Sequence, residues 1–222
     1  MKRKIVIKIG GSLEKKFYDE TFSEKFCKVI KSLDNRYRIL VVPGGGSFAD
    51  FIRDIDKKII LSSRVSDRMA IISMDLYGLF LSHIFKIKTT YSLTKALKRR
   101  LVIFLPSHFI FKTNPPLKRS WDVTSDSISA FLAKKINAER LILVKDVDGI
   151  YTRDPKIYKE AKLLNIVRAK ELIGKETCID NYLPKFLLKN PLYVSIVNGK
   201  YPERIKEALK GKLKIGTIII AR

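Results

Sequence analysis

Several common devices of catalysis and metal binding are scarce in this 222-residue chain. The two cysteines, Cys27 and Cys178, share no CxxC spacing. That argues against a zinc site or a disulfide framework, and the expectation is two small, mostly buried thiols. There are two histidines. His83 falls on a predicted helix and His108 just past a predicted strand, and both read as structural. No run of roughly 18 uncharged apolar residues offers a membrane span. Charges from Lys2 onward, followed by strand-like residues, leave no signal-peptide pattern. The expectation is a soluble, cytoplasmic protein with no membrane partner. Repeats, low-complexity tracts and Pro/Gly/Ser linkers are absent from the sequence. So are the Walker phosphate loop, a calcium loop of about 12 residues with ordered oxygen ligands, and the helix-turn-helix or RRM signatures of nucleic-acid binders.

Acidic residues are also in short supply. Asp and Glu number 22 against 45 Lys and Arg, a formal net charge of +23. Such a field attracts polyanions and speeds their encounter. Nucleotides, phosphate esters and nucleic acid are all candidates on charge alone. A lysine-rich surface of the kind found in proteins from hot environments explains only part of the excess, because Glu does not rise with Lys. The basic residues are spread along the chain rather than gathered in a tail, which favours a solvated surface with a positive cleft over a nucleic-acid arm.

What is present is a regular alternation of strand and helix signals. Residues 4–9, 38–43, 100–106, 140–145 and the closing "LYVSIVNG" and "IGTIIIA" read as strands. Residues 21–33 place Phe22, Phe26, Val29, Ile30 and Leu33 on one helical stripe. A helix starting near Ser47 carries Phe48, Phe51, Ile52 and Ile55. A long one over 66–86 carries Met69, Ile72, Leu76, Leu79, Phe80 and Ile84, and another over 122–136 carries Ile128, Phe131, Leu132 and Ile136. A short helix follows Pro202. The alternation implies an α/β fold with a largely parallel sheet and helices on both faces. In such sheets ligands bind beyond the carboxyl ends of the strands.

Four stretches stand out, most of them at such ends. In "IVIKIGGSLEKK" (5–16), Lys8 interrupts an apolar strand just before Gly10, Gly11 and Ser12. Glycine turns let backbone N–H groups approach an anion, and the Lys8 ammonium could meet the same anion. A strand-end lysine reaching water beside a plain turn is the alternative. In "VVPGGGS" (41–47), Gly44, Gly45 and Gly46 precede a helix whose first N–H groups could receive a phosphate or carboxylate. In "WDVTSDSI" (121–128), Asp122 or Thr124 can cap a helix, and Asp126 sits in its first turn, where a carboxylate stays ionised and could hold a catalytic lysine. In "LVKDVDGIYTRDP" (143–155), a strand runs into Asp146, Asp148, Gly149 and Tyr151. Spacing alone leaves a nucleotide-edge loop and a plain acidic turn both open.

Taken in order, "KIGGS", "GGGS", the aspartate of "TSDSISA", "KDVDGIYTRDP" and the closing "VNG…GT" resemble the amino acid kinase family over essentially the whole chain. Acetylglutamate, aspartate, uridylate and isopentenyl phosphate kinases belong to that family. The resemblance implies one α/β three-layer sandwich around a mainly parallel central sheet, with an acceptor half over about 1–120 and a nucleotide half over about 121–222. It implies ATP with Mg2+, a small-molecule phosphate substrate and a homo-oligomer; it assigns no protein ligand to a metal and makes nucleic acid an unexpected partner. By the same resemblance Lys8 contacts the transferring phosphoryl group, and Asp126 organises the catalytic lysines. Gly10, Gly11 and Ser12 cover the ATP phosphates. Gly44, Gly45 and Gly46 face the acceptor, and Lys145, Asp146, Asp148, Gly149 and Tyr151 border the nucleotide. Two departures are visible: Lys145 stands where threonine or serine is common, and "CIDNYLPKF" (178–186) replaces a late GGM-x-x-K element, making Lys185 the counterpart of its lysine.

"SDRMAIISMDLYGLFL" (66–81) and "SWDVTSDSISAFLA" (120–133) resemble the methanofuran-making branch of that family, found in archaea and methylotrophs. Its acceptor, [5-(aminomethyl)furan-3-yl]methyl phosphate, is converted to the diphosphate. Isopentenyl phosphate kinases typically read "GGGSFGH" where this chain has "GGGSFAD", with Asp50 at the histidine. An acid near the acceptor suits an ammonium-bearing substrate. Asp50, Asp67 and Asp122 are the candidates, and Arg53, Arg64 and Arg68 could meet the acceptor phosphate. Other kinases of the family, and a basic nucleic-acid-binding protein that has lost catalysis, are the alternatives.

Overall fold

The structure, a computed structural model, describes residues 2–155 and 157–221. In chain order its elements are β1 (Arg3–Ile9), a 3-10 segment (Gly11–Tyr18), α1 (Glu20–Ser32), β2 (Tyr37–Pro43), α2 (Gly46–Ile59) and α3 (Ser63–Phe85). There follow β3 (Thr89–Thr90), α4 (Leu93–Lys98), β4 (Leu101–Phe104), α5 (Ser107–Thr113), α6 (Ser125–Lys135) and β5 (Arg140–Lys145). The last are β6 (Ile166–Arg168), α7 (Leu183–Lys189), β7 (Tyr193–Asn198), α8 (Glu203–Leu209) and β8 (Thr217–Ile220). The described strands form one eight-stranded sheet ordered β3-β4-β2-β1-β5-β7-β8-β6. Every described pairing is parallel except β7 with β8.

The inner strands are apolar almost throughout because both faces are covered. Val6, Leu40, Val42, Leu141 and Leu143 face one way, into a core shared with α6 and α7. Ile5, Ile7, Ile39, Val41 and Ile142 face the other, against α1, α3 and α8. The result is a mixed, mostly parallel sheet between two helical layers, the expected three-layer sandwich. The short β3, α4 and β6 carry too little pattern to be read from sequence.

The long helix departs from expectation in its orientation. Ile72, Leu76 and Leu79, taken from periodicity as one packing stripe, are 44–48% exposed. The buried stripe is Met74, Tyr77, Leu81 and Phe85. This helix is apolar on both sides, so periodicity could not choose the core face. At 23 residues α3 is also the one described helix long and apolar enough to cross a membrane by length and composition. It is tied instead to the sheet by its buried stripe, and it carries Arg64, Asp67, Arg68 and Asp75. On α2, Ile52 is buried while Phe48 and Phe51 are exposed.

The two glycine turns lie against each other at the carboxyl ends of β1 and β2. A Cβ on Gly44 would stand 2.6 Å from the Gly11 nitrogen, and one on Gly11 would run into the backbone of Gly46. Gly46 itself has φ +60, a conformation in which an L side chain is strained. The contact therefore requires the absence of side chains on both turns. Gly11→Ala is expected to lower stability by about 1–3 kcal/mol, the usual cost of overpacking. A thermal or urea melt checks this, and an unchanged midpoint would mean that the turns separate freely.

Candidate active site

Lys8 is the penultimate residue of β1, in register with Val42 of β2 and Leu143 of β5. Strand alternation turns it to the same face as Val6, and that face is covered by α6. The first turn of α6 holds Asp126, and the last residue of β5 is Lys145. Three elements thus end at one point. The Lys8 Nζ lies 2.9 Å from Asp126 Oδ1, and Lys145 Nζ donates to Asp126 Oδ2 at 2.7 Å. The first contact is an ion pair without hydrogen-bond alignment, since Oδ1 finds no aligned donor. Asp126 is 2% exposed and Lys8 5%.

Burial disfavours all three charges, but unequally. Burial alone would raise Asp126; the Lys145 and Lys8 ammoniums outweigh it and hold the carboxyl well below the usual range. Burial pulls Lys8 below its ordinary value, with the Lys145 charge adding to it and Asp126 opposing. Lys145 goes the other way: burial lowers it, and Asp126 more than compensates. Two ammoniums on one carboxylate leave an excess positive charge at the wall of a cleft, where an anion can offset it.

The cleft has a volume of about 1000 Å3. Gly10, Gly11, Ser12, Gly45 and Gly46 line it with Lys8, Asp126 and Lys145. So do Asp146, Gly149 and Tyr151 of the loop after β5, together with Arg153, Asp154 and Tyr158 further along. A second, more apolar cavity of about 590 Å3 adjoins it. The two share Gly45, Ala49, Arg53, Thr124 and Ser125. The second cavity lies between α2, α3 and the segment before α6, with Ile71, Met74, Trp121 and Ile128 in its wall and Asp56 and Asp67 as its acids.

Not every residue singled out from sequence arrives at these cavities. Lys185 is exposed on α7 and does not line the cleft. The reason is local: Leu183, Pro184, Phe186 and Leu187 take the core side of that short helix, turning Lys185 outward. The second ammonium on Asp126 is Lys145 instead. Asp148 turns away from the cleft to Asn198 (3.0 Å) and Arg204, and so anchors the loop to β7 and α8. Gly44 supports its neighbours from behind, donating to the Ile9 carbonyl at 2.8 Å. Asp122 pairs with Lys118 at 2.6 Å outside both cavities. Arg68 lies over the Phe111 ring at 4.4 Å, and it and Arg64 line neither cavity. Asp50 does line the cleft, paired with Arg53 at 2.7 Å. The helix end after the glycine triplet is partly occupied by the protein's own carboxylate, because Ser47 N donates to Glu14 at 2.6 Å.

Two residues that matter for the geometry have no sequence signal of their own. Asp180 accepts from Thr124 N and Oγ1 at 2.9 Å each, from Ser127 N at 2.9 Å and from Leu183 N at 2.8 Å. It pins the start of α6 and so positions Asp126. Burial, then the nearby Asp126 charge, pushes its carboxyl up. Its Oδ1 also receives Leu183 N at the start of α7, a contact within three residues, but nothing local points to α6. Cys178 also lines the cleft, half-buried, and burial pushes its thiol up to about 11. The capping residue of α6 is Thr124, whose Oγ1 accepts from Asp126 N at 3.4 Å. The histidines are both exposed and line neither cavity.

The sequence model of the amino acid kinase family matches residues 3–183. The chain is 36% identical, over 97% of both sequences, to the [5-(aminomethyl)furan-3-yl]methyl phosphate kinase of Methanocaldococcus jannaschii. It is 28% identical to the uridylate kinase of Methanobrevibacter smithii, over 99% of this chain and all of that one. Among solved structures it is similar to uridylate kinase from Archaeoglobus fulgidus, with a TM-score of 0.74 at 23% identity over 98% of this chain and 99% of the other. It is also similar to the isopentenyl phosphate kinase of T. acidophilum in a product complex, with a TM-score of 0.64 at 20% identity over 97% and 99%.

The ion cluster has a thermodynamic signature. Asp126→Asn strands two buried ammoniums, and removing one partner from such a pair costs about 3–5 kcal/mol near neutral pH. Because the folded carboxyl lies below its ordinary 3.8, its contribution is complete above that pH. Below it the unfolded chain takes up a proton that the folded one refuses, and the contribution falls by about 1.4 kcal/mol per pH unit. The gap between the urea midpoints of the two proteins should therefore stay level from pH 7 to about 5 and narrow, by roughly 1 kcal/mol, as the pH falls to 3. A gap independent of pH would show that the charge on Asp126 does not matter to stability.

Proposed function

The chain belongs to the amino acid kinase family, and on that premise we propose that it transfers the terminal phosphoryl group of ATP to the phosphate of [5-(aminomethyl)furan-3-yl]methyl phosphate. The product is the diphosphate, and the step belongs to methanofuran biosynthesis. The observation that carries the reading is the pair of ammoniums held by one buried carboxylate beside two adjoining cavities. The larger cavity suits the nucleotide and its phosphates. The apolar one suits the acceptor, and Arg53 stands on the wall common to both. On this reading the acceptor cavity draws on 45–74 and 120–128, so the two functional halves interleave near residue 120.

The chemistry follows from what the cleft holds. An acceptor phosphate oxygen attacks the γ-phosphorus of ATP, the bond to the β–γ bridging oxygen breaks, and ADP leaves. A phosphate acceptor is already anionic and needs no base to remove a proton. Asp126, the carboxylate beside Lys8 and Lys145, is occupied by both and is not free to act as a base, which suits that kind of acceptor. Phosphoryl transfer depends mainly on positioning and charge neutralisation. Lys8 and Lys145 would stabilise the charge that spreads over the transferred group, and the Gly10–Gly11–Ser12 turn would hold the phosphates through backbone N–H groups.

No three His, Cys, Asp or Glu side chains gather as a metal site among the described residues. The donor set fits a magnesium ion carried in on the nucleotide's own phosphates, with at most one or two carboxylates from the cleft wall. When bound, the ion neutralises charge on the phosphate oxygens. The exposed Ile72, Leu76 and Leu79 of α3, with Val65 of the same helix, support a homo-oligomer formed through that face. The chain's excess of basic residues supports attraction of anionic small molecules in the cytoplasm.

The test is phosphoryl transfer from ATP to a panel of acceptors: the aminomethylfuran phosphate, uridylate, isopentenyl phosphate and acetylglutamate. Turnover of the furan phosphate well above the rest is expected; activity confined to uridylate would replace the acceptor and keep the kinase. Lys8→Ala and Lys145→Ala should each lower kcat by roughly 10²–10³-fold. Lys185→Ala should stay near wild type, and a loss as deep as that of Lys145→Ala would return Lys185 to the site.

A further inference from the structure

The acceptor cavity carries more information than its volume. Its walls are largely apolar, yet two carboxylates line it in very different states. Asp56, on α2, is fully engaged by protein donors. Trp121 Nε1 donates to Oδ2 at 2.6 Å, and Leu61 N donates to Oδ1 at 2.9 Å. Asp56 therefore fixes the edge of the indole, and the Arg53 guanidinium lies 4.8 Å from the ring centroid on its face. Trp121 is a held, flat wall.

Asp67, on α3, is different. Its side chain is only 14% exposed, and its one described ion-pair contact is Arg119 at 3.5 Å, too long for a strong charge-assisted bond. Burial raises its carboxyl, against the pull of Arg119 and Arg68. A half-buried carboxylate with a loose partner, opening into an apolar cavity, is stabilised by a cation that enters the cavity. The cationic side chains of the cavity do not serve it. Arg53 is at the boundary with the cleft, paired with Asp50, and Lys57 is drawn toward Asp54 at 3.8 Å.

We propose that this cavity selects acceptors bearing a primary ammonium group, with Asp67 as its partner and the Asp56-anchored Trp121 as the wall for a flat ring. Arg53 then meets the phosphate at the other end, next to the cleft. The ligand class is a ring-bearing monophosphate with a cationic arm; a neutral base or an isoprenoid chain of similar size would leave the Asp67 carboxylate more deeply desolvated with only its loose contact to Arg119. The inference rests on the acceptor reading given above and assigns its specificity to named residues.

The experiment compares the aminomethylfuran phosphate with its N-acetylated and hydroxymethyl counterparts, which keep ring and phosphate but lose the charge. Wild type should favour the amine in kcat/KM by roughly 10–100-fold, the range of a hydrogen bond to a charged group. In Asp67→Asn that ratio should collapse toward one, mainly through KM for the amine. Trp121 is the single tryptophan of the chain, so its fluorescence reports acceptor binding directly. It should respond to the amine at lower concentration in wild type than in Asp67→Asn, which also keeps the assignment testable if the variant turns over slowly. Equal use of amine and neutral acceptors by wild type overturns the ammonium seat, and a preference that survives in Asp67→Asn overturns the role of Asp67. An indole signal that ignores the acceptor while turnover proceeds overturns the role of Trp121. Failure of wild type to use any of the three, with uridylate turned over, instead removes the acceptor reading itself.

Discussion

One carboxylate between two ammoniums organises the functional end of this molecule. Lys8, Asp126 and Lys145 come from a central strand, a helix start and the neighbouring strand end. None of the three is tolerable alone in that position, because an unpaired buried charge is costly. Together they are tolerable, and they leave one positive charge uncompensated. That surplus is what a polyphosphate can meet. Their shared requirement also fixes geometry: the start of α6 must stay above the ends of β1 and β5, and Asp180 holds it there with bonds to Thr124 and Ser127.

Around that cluster the backbone is as constrained as the side chains. The turns at Gly10–Gly11 and Gly44–Gly46 touch each other, and Glu14 ties them further by accepting from Ser47 N and Oγ. The floor of the larger cleft and the entrance to the apolar cavity are therefore parts of one rigid corner. A change in either turn displaces both, so the two cavities are set relative to each other by the packing of these turns. Ala49 and Arg53, on the helix that leaves this corner, line both spaces.

The sequence displayed some of this plainly. Lys8 stands out because an ammonium interrupts an apolar strand next to glycines, and Asp126 because it occupies the first turn of a helix. Both signals are local. Lys145 was visible as a departure from a family pattern, but its bond to Asp126 spans 19 residues, and no local rule pairs them. Lys185 stands where the family pattern has a lysine, but the core side of a seven-residue helix, not spacing, decides its direction. Asp56 carries no local signal, because an aspartate late in a helix looks like an ordinary solvated charge until Trp121, 65 residues away, is placed on it.

Sequence alone determined the α/β class, the order of the main strands and helices, the two glycine turns and the charged residues beside them. It could do so because apolar periodicity, caps and turn chemistry act over a few residues. Tertiary structure decided which side of α3 is buried, which lysine shares Asp126, which acids enter the apolar cavity and which are spent on surface pairs. Those outcomes depend on contacts between segments far apart in the chain, where burial strengthens or forbids a charge according to the neighbours that folding brings to it.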